Sequence, residues 1–151
     1  MTQSSGDFTA MFRDLSQRHG LACTHQRQVI YQALVTAKDH PTPEAIYESV
    51  RARIPSISLG TVYKNIKTFL EAGMLNEVSL HHGSLRLDAR LEPHHHLVCR
   101  VCRNIVDLDE PDVAPASYTG RLPRGFRLER QNVEFIGICA SCAKQQSSLT
   151  T

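Results

Sequence analysis

The sequence predicts an α+β chain in two parts: a helical N-terminal half closing on a β-hairpin, then a smaller half of strands pinned by paired cysteines. Three observations predict this. Four segments of the first half carry apolar residues at helical spacing behind capping or stop residues, and a period-two stretch follows them. The second half holds two C-x-x-C pairs, Cys99/Cys102 and Cys139/Cys142, a spacing that lets two thiolates grip one metal ion. Glu92-Pro93 stands between the halves as a hinge, so the expected division is 1–91, a hinge at 92–93, and 94–151.

Each element follows from its residues. Residues 1–7 are polar and expected to be loose. Phe8, Met11, Phe12 and Leu15 mark a helix over 8–19, stopped by Gly20. Thr24 caps a second helix with Val29, Ile30, Ala33, Leu34 and Ala37 as its buried stripe. Thr42 caps and Pro43 opens a third, to about Arg53, with Ile46 and Val50 facing its core. Ser58 caps a fourth, which ends at Gly73. Its two faces differ: Val62, Ile66, Phe69 and Leu70 share one stripe, while Lys64 and Lys67 lie opposite with Tyr63 on the flank. Residues 74–80 and 85–89 alternate as strands around the turn His81-His82-Gly83-Ser84. Helices followed by a hairpin predict a winged helix-turn-helix, with the fourth helix as DNA reader. Beyond the hinge come strands at 95–99, 104–109 and 126–138, a weak helix candidate at 113–122, and a polar tail from 143.

Composition sets bounds. A chain of 151 residues with 41% hydrophobic content suffices for one domain or two small ones. No run of about eighteen apolar residues exists to span a membrane. The opening MTQSSGDFTA lacks the charged and apolar regions of a secretory signal, so metal is favoured over disulfides and a cytoplasmic location is expected. The net charge is +2, and the excess lies in the first half, where eight Lys and Arg face six Asp and Glu in residues 1–74. DNA binding must therefore rest on local placement of charge.

The stretch His94–Asp109, HHHLVCRVCRNIVDLD, carries most of the chemistry. Cys99, Cys102, Cys139 and Cys142 predict a closed tetrahedral zinc site, structural because no position stays open. Four buried free thiols and a redox dithiol are the bland and rival readings; the dithiol is the weaker because neither pair precedes a helix in a βαβ unit. His94 and His96 point to one strand face and, with Asp107 and Asp88, are candidate ligands for a second metal; imidazole and carboxylate suit Fe(II), Mn(II) or Zn(II). His95 points away and is expected to be solvated or packed. His40 alone reads as a surface loop residue, His81 and His82 as a solvated turn, and Cys23 as a small buried hydrophobe. Arg27, Lys64 and Lys67 are ordinary solvated charges outside the winged-helix context.

The pieces T-H-Q-R at 24–27, D-H-P-T at 39–42, S-I-S-L-G-T-V-Y-K-N at 56–65, H-H-H-L-V-C-R-V-C at 94–102 and the closing C-x-x-C together resemble the ferric uptake regulator family over about residues 10–143. The resemblance implies a dimeric, metal-dependent bacterial transcription factor with a winged helix and a C-terminal α/β dimerisation domain. It implies a regulatory metal on His40, Asp88, His94, His96 and Asp107, and DNA contacts from Arg27, Ser58, Thr61, Tyr63, Lys64, Asn65 and Lys67. Asp107 stands where iron-uptake regulators usually carry Glu, as in the peroxide-responsive branch, which implies oxidation-sensitive His40 and His94. His25 replaces the family's usual Pro, Ala22 stands where members commonly carry a minor-groove Lys or Arg, and Gln131 replaces the histidine of a third metal site, so none is expected there.

The expected function is a metal-dependent repressor that binds a palindromic operator as a homodimer. It holds Zn(II) structurally and Fe(II) or Mn(II) for regulation, and senses peroxide through iron. It needs no membrane and no small-molecule substrate beyond metal and peroxide. The alternatives are a metal-uptake repressor without peroxide sensing, a zinc-storage or interaction module, and, more distantly, a non-haem iron enzyme using two histidines and a carboxylate.

Overall fold

A computed structural model describes residues 5–78, 84–109, 111, 118, 120–129 and 133–148. Residues 81–83 of the expected turn at 81–84, strand residues 79–80 and most of the helix candidate at 113–122 lie outside these residues. The chain divides into two units, Met1–Leu91 and Glu92–Thr151.

The first unit holds α1 (Ser5–Arg18), α2 (His25–Thr36), α3 (Pro43–Arg51), α4 (Leu59–Glu71), β1 (Asn76–Val78) and β2 (Arg86–Asp88). Hydroxyls of Thr24, Thr42 and Ser58 accept from the N–H groups of Arg27, Ala45 and Thr61, giving each of α2–α4 a side-chain N-cap. Gly73, at φ 74°, closes α4: Met74 N–H donates to Phe69 O and Gly73 N–H to Leu70 O. β1 and β2 pair antiparallel, Glu77 opposite Leu87. These elements form a winged helix-turn-helix around a core of Phe12, Ile30, Tyr31, Val62, Ile66 and Phe69. Phe12, Tyr31 and Phe69 meet ring to ring at 5.3–6.4 Å between centroids.

Several expectations are corrected. Helix α1 starts at Ser5, and Met11 is 41% exposed, because Phe8 and Phe12 already fill that face. Tyr31 joins the core of α2, donating its hydroxyl to Met74 O at 3.3 Å, which offsets burial of the phenol. Cys23 is exposed, since it lies on the open segment ahead of α2.

The second unit is a three-stranded sheet of order β4-β3-β5, built from β3 (His94–Cys99), β4 (Ile105–Asp109) and β5 (Glu134–Gly137), followed by α5 (Ala140–Ser148). β3 is central, antiparallel to β4 and parallel to β5. β5 is shorter than the expected 126–138 strand. Helix α5 occupies what composition suggested was a polar tail; Ala143 N–H donates to Cys139 O at 2.9 Å and closes its first turn on the second cysteine pair. Val98 and Ile105 are the buried aliphatic side chains among the described residues of this unit. No helix of the described residues is long and apolar enough to cross a membrane.

Candidate functional site

The cysteine cluster lies wholly in the second unit. Cys99 ends β3, and the turn to β4 is closed by Arg103 N–H on Cys99 O and Cys99 N–H on Asn104 O, both 2.9 Å, with Arg103 in the left-handed region at φ 64°. The parallel register sets Cys99 opposite Gly137 and so delivers Cys139 and Cys142 to the same turn. The four donor atoms lie within 4.8 Å of one another, and Cys102 Sγ is 3.7 Å from Cys139 Sγ. A tetrahedral zinc with bonds of about 2.3 Å places its sulfurs about 3.8 Å apart, so the set fits Zn(II). The thiols are tuned in opposite directions. Backbone N–H groups of Cys102 and Cys139 draw the Cys99 thiol down to about 6, the Cys139 bond measuring 3.3 Å. Hydrogen bonding to Cys139, then burial, pushes Cys142 up to about 12. A divalent cation lets all four ionise together. The second pair runs directly into α5, where a polar tail was expected, and the fourfold convergence of sulfurs is what marks it as a metal cage.

The histidine and aspartate residues fall in two groups, one in each unit. In the second, His96 stands directly opposite Asp107 across β3–β4. Asp107 Oδ1 lies 3.6 Å from His94 Nε2 and 3.7 Å from His96 Nε2, and the two rings are 4.7 Å apart at 71°. Glu92 O accepts from His94 Nδ1 at 2.8 Å, which orients the ring so that Nε2 is the nitrogen facing Asp107. His95 is turned away: its Nδ1 accepts Val133 N–H at 3.1 Å and ties β3 to the residues ahead of β5. In the first unit, Leu87 N–H donates to Pro41 O at 3.0 Å and Arg86 Nη1 to His40 O at 2.7 Å. These bonds latch β2 to the α2–α3 corner and bring His40 Nε2 within 3.9 Å of Asp88 Oδ2. His40 is therefore buried where sequence alone suggested a surface loop. The strand alternation around Asp88 gave no sign of this latch. Nitrogen and oxygen donors without sulfur fit Fe(II) or Mn(II).

Helix α4 presents Leu59, Tyr63, Lys64 and Lys67 outward. Lys67 Nζ lies 3.8 Å from Glu71. Ser58 and Thr61 bond through their hydroxyls at 2.9 Å at the start of the helix. Asn65 departs from the expected outward face: it is buried, donating to Thr61 O at 2.8 Å and accepting from Arg27 Nε at 3.3 Å. Arg27 also holds Ala22 O at 2.9 Å, so this pair fastens the segment before α2 to the outward helix. Sequence reasoning missed Glu44, whose carboxylate accepts the Tyr63 hydroxyl. Nothing in the spacing of two residues on different helices signals that bond.

A winged helix joined to a sheet unit with a four-thiolate cage defines a metal-binding winged-helix protein. The sequence model of the ferric uptake regulator family matches residues 18–136, and the chain belongs to that family. It is 31% identical over 128 residues to the peroxide operon regulator of Bacillus subtilis (strain 168), covering 85% of this chain and 88% of the relative. It is 30% identical over 123 residues to the peroxide-responsive repressor PerR of Staphylococcus aureus (strain Mu50 / ATCC 700699), covering 82% and 83%. Among solved structures, the Helicobacter pylori ferric uptake regulator shares the fold at a TM-score of 0.69 with 18% identity, covering 93% and 95%. A zinc-bound manganese uptake regulator aligns at a TM-score of 0.61 with 26% identity, covering 84% and 97%.

Proposed function

We propose that the chain is a metal-dependent transcriptional repressor that binds operator DNA as a homodimer and senses peroxide through iron held by His40, Asp88, His94, His96 and Asp107. The observation that carries the reading is Asp107 facing both imidazoles of β3, a nitrogen-and-oxygen set with Asp at the position that marks the peroxide-responsive branch. Relatives about 30% identical bear peroxide-responsive names, which supports the same branch. Exposed Leu97, Val106, Phe135 and Ile136 on the sheet unit, with β5 at its edge, support pairing with a second copy. The outward face of α4 supports entry into the major groove, with Lys64 and Lys67 on phosphate.

The five ligands come from both units, so sharing one ion favours a single arrangement of reader helices and shifts the population toward DNA-competent dimers. Fe(II) held by these residues would activate peroxide beside the imidazoles: the ring of His40 or His94 would give up two electrons and gain one oxygen atom, while the second peroxide oxygen leaves as water. The oxidised ring is a poorer ligand, and the DNA is released. The thiolates take no part, because zinc occupies all four. No catalytic turnover is expected, which separates this reading from a non-haem iron enzyme consuming a 2-oxo acid.

The test is binding of a duplex selected from a randomised library, with Fe(II) and with Mn(II), each with and without peroxide. Release of the iron form alone, with one oxygen on a histidine peptide by mass spectrometry, supports the sensor. An iron form that stays bound and unoxidised leaves a metal-uptake repressor, and no DNA binding at any metal level removes the repressor altogether.

A further inference from the structure

We propose that Glu44 is a positioning residue for sequence reading: its carboxylate holds the hydroxyl of Tyr63, so the reader helix meets a base through the tyrosine ring and not through its O–H. The inference rests on the repressor reading above.

Both residues belong to the first unit. Glu44 is the second residue of α3, and Tyr63 lies in the second turn of α4 with 41% of its surface open. Their bond therefore spans two helices on the outward side. Glu44 is firmly placed. Pro43 beside it is buried, Thr42 caps the helix through Ala45 N–H at 3.2 Å, and the positive end of the α3 dipole favours a carboxylate there. The Tyr63 hydrogen bond holds Glu44 below the usual carboxylate range, so the acceptor stays ionised, and the same bond raises Tyr63.

A phenol has one hydrogen to give. Committed to Glu44, it cannot be donated to N7 or O6 of guanine or to N7 of adenine, and the adjacent negative charge disfavours those acceptors further. What remains is the oxygen as an acceptor, open to adenine N6–H2 or cytosine N4–H2, and the apolar ring, which matches the C5-methyl group of thymine. The carboxylate also stands where phosphates approach, so it penalises binding in which the ring finds no methyl to offset it. Lys64 and Lys67 supply attraction that is blind to sequence; the Tyr63–Glu44 pair supplies discrimination.

The experiment uses full-length Mn(II)-loaded protein and its library-selected duplex, with thymines replaced in turn by deoxyuridine to delete the methyl alone. Wild type should lose about fourfold in affinity at one symmetric thymine position, the worth of one buried methyl per contact. In Glu44→Ala that penalty should fall within about 1.5-fold of none, while affinity for an unrelated duplex rises. Glu44→Gln keeps a neutral acceptor and should restore the thymine penalty but not the repulsion. Tyr63→Phe should match Glu44→Ala in losing the penalty, and the double variant should lose nothing more. A full thymine penalty in Glu44→Ala overturns the positioning role while leaving the repressor reading intact. Wild type that binds no selected duplex with Mn(II) overturns the repressor reading and this inference with it.

Discussion

Replacing Cys102 by Ser should unfold the sheet unit and leave the winged helix folded. The magnitude follows from where apolar side chains are buried. The packed cluster from Phe8 to Leu87 lies entirely in the first unit. Among the described residues, the second unit buries two aliphatic side chains, Val98 and Ile105. Two such residues contribute about 4 kcal/mol together, whereas a structural zinc contributes about 10 kcal/mol or more in small domains. The metal clasp therefore outweighs the buried side chains, and a serine hydroxyl at 102 does not replace a thiolate. β5 is only four residues long, and the cysteines that follow it close the clasp. Hydrogen exchange resolves the two units. In Cys102→Ser, or after strong chelation, the Cys99 N–H to Asn104 O and Arg100 N–H to Gly137 O bonds should lose protection. The Leu87 N–H to Pro41 O bond in the first unit should keep it. Elemental analysis should find no zinc, and size-exclusion should find no dimer. A zinc-free variant whose β3 and β5 amides remain protected would refute the reasoning.

Three further outcomes are expected. Asp107→Glu should keep metal-dependent DNA binding and lose most peroxide sensitivity, because the longer side chain alters how Asp107 meets His94 and His96; unchanged histidine oxidation in mass spectra argues against this. Lys67→Ala should weaken operator and unrelated DNA alike and lower the salt slope by about one unit, since one phosphate then keeps its counterion; unchanged slopes for both Lys64→Ala and Lys67→Ala place DNA on another face. Tyr31 is raised above its ordinary 10.0 by burial, so its contribution is present below pH 10.0 and lost as pH rises through the folded value. Tyr31→Phe should thus cost about 1 kcal/mol near neutrality through the missing bond to Met74 O, and urea unfolding should show that cost shrinking in strong alkali.

Local chemistry by itself determined much of this protein. Thr24, Thr42 and Ser58 are caps because a hydroxyl must satisfy helix N–H groups, and each caps the helix that its spacing announced. Val62, Ile66 and Phe69 are core because only one stripe of α4 is apolar. The cysteine spacing alone called for a metal cage, and period two alone put His94 and His96 on one face. What required the tertiary structure were pairings between distant segments, which leave no periodic trace. The β2 latch on the α2–α3 corner buries His40 beside Asp88. Arg27 turns Asn65 inward against the outward bias of its helical position. Helix α5 is polar along its length and weak in amphipathic pattern, so its composition resembled a tail until the cysteine pair anchored its first turn. Glu44 meets Tyr63 across two helices for the same reason: a side-chain bond between residues nineteen apart depends on how α3 and α4 pack, and packing is decided by the whole core rather than by either segment.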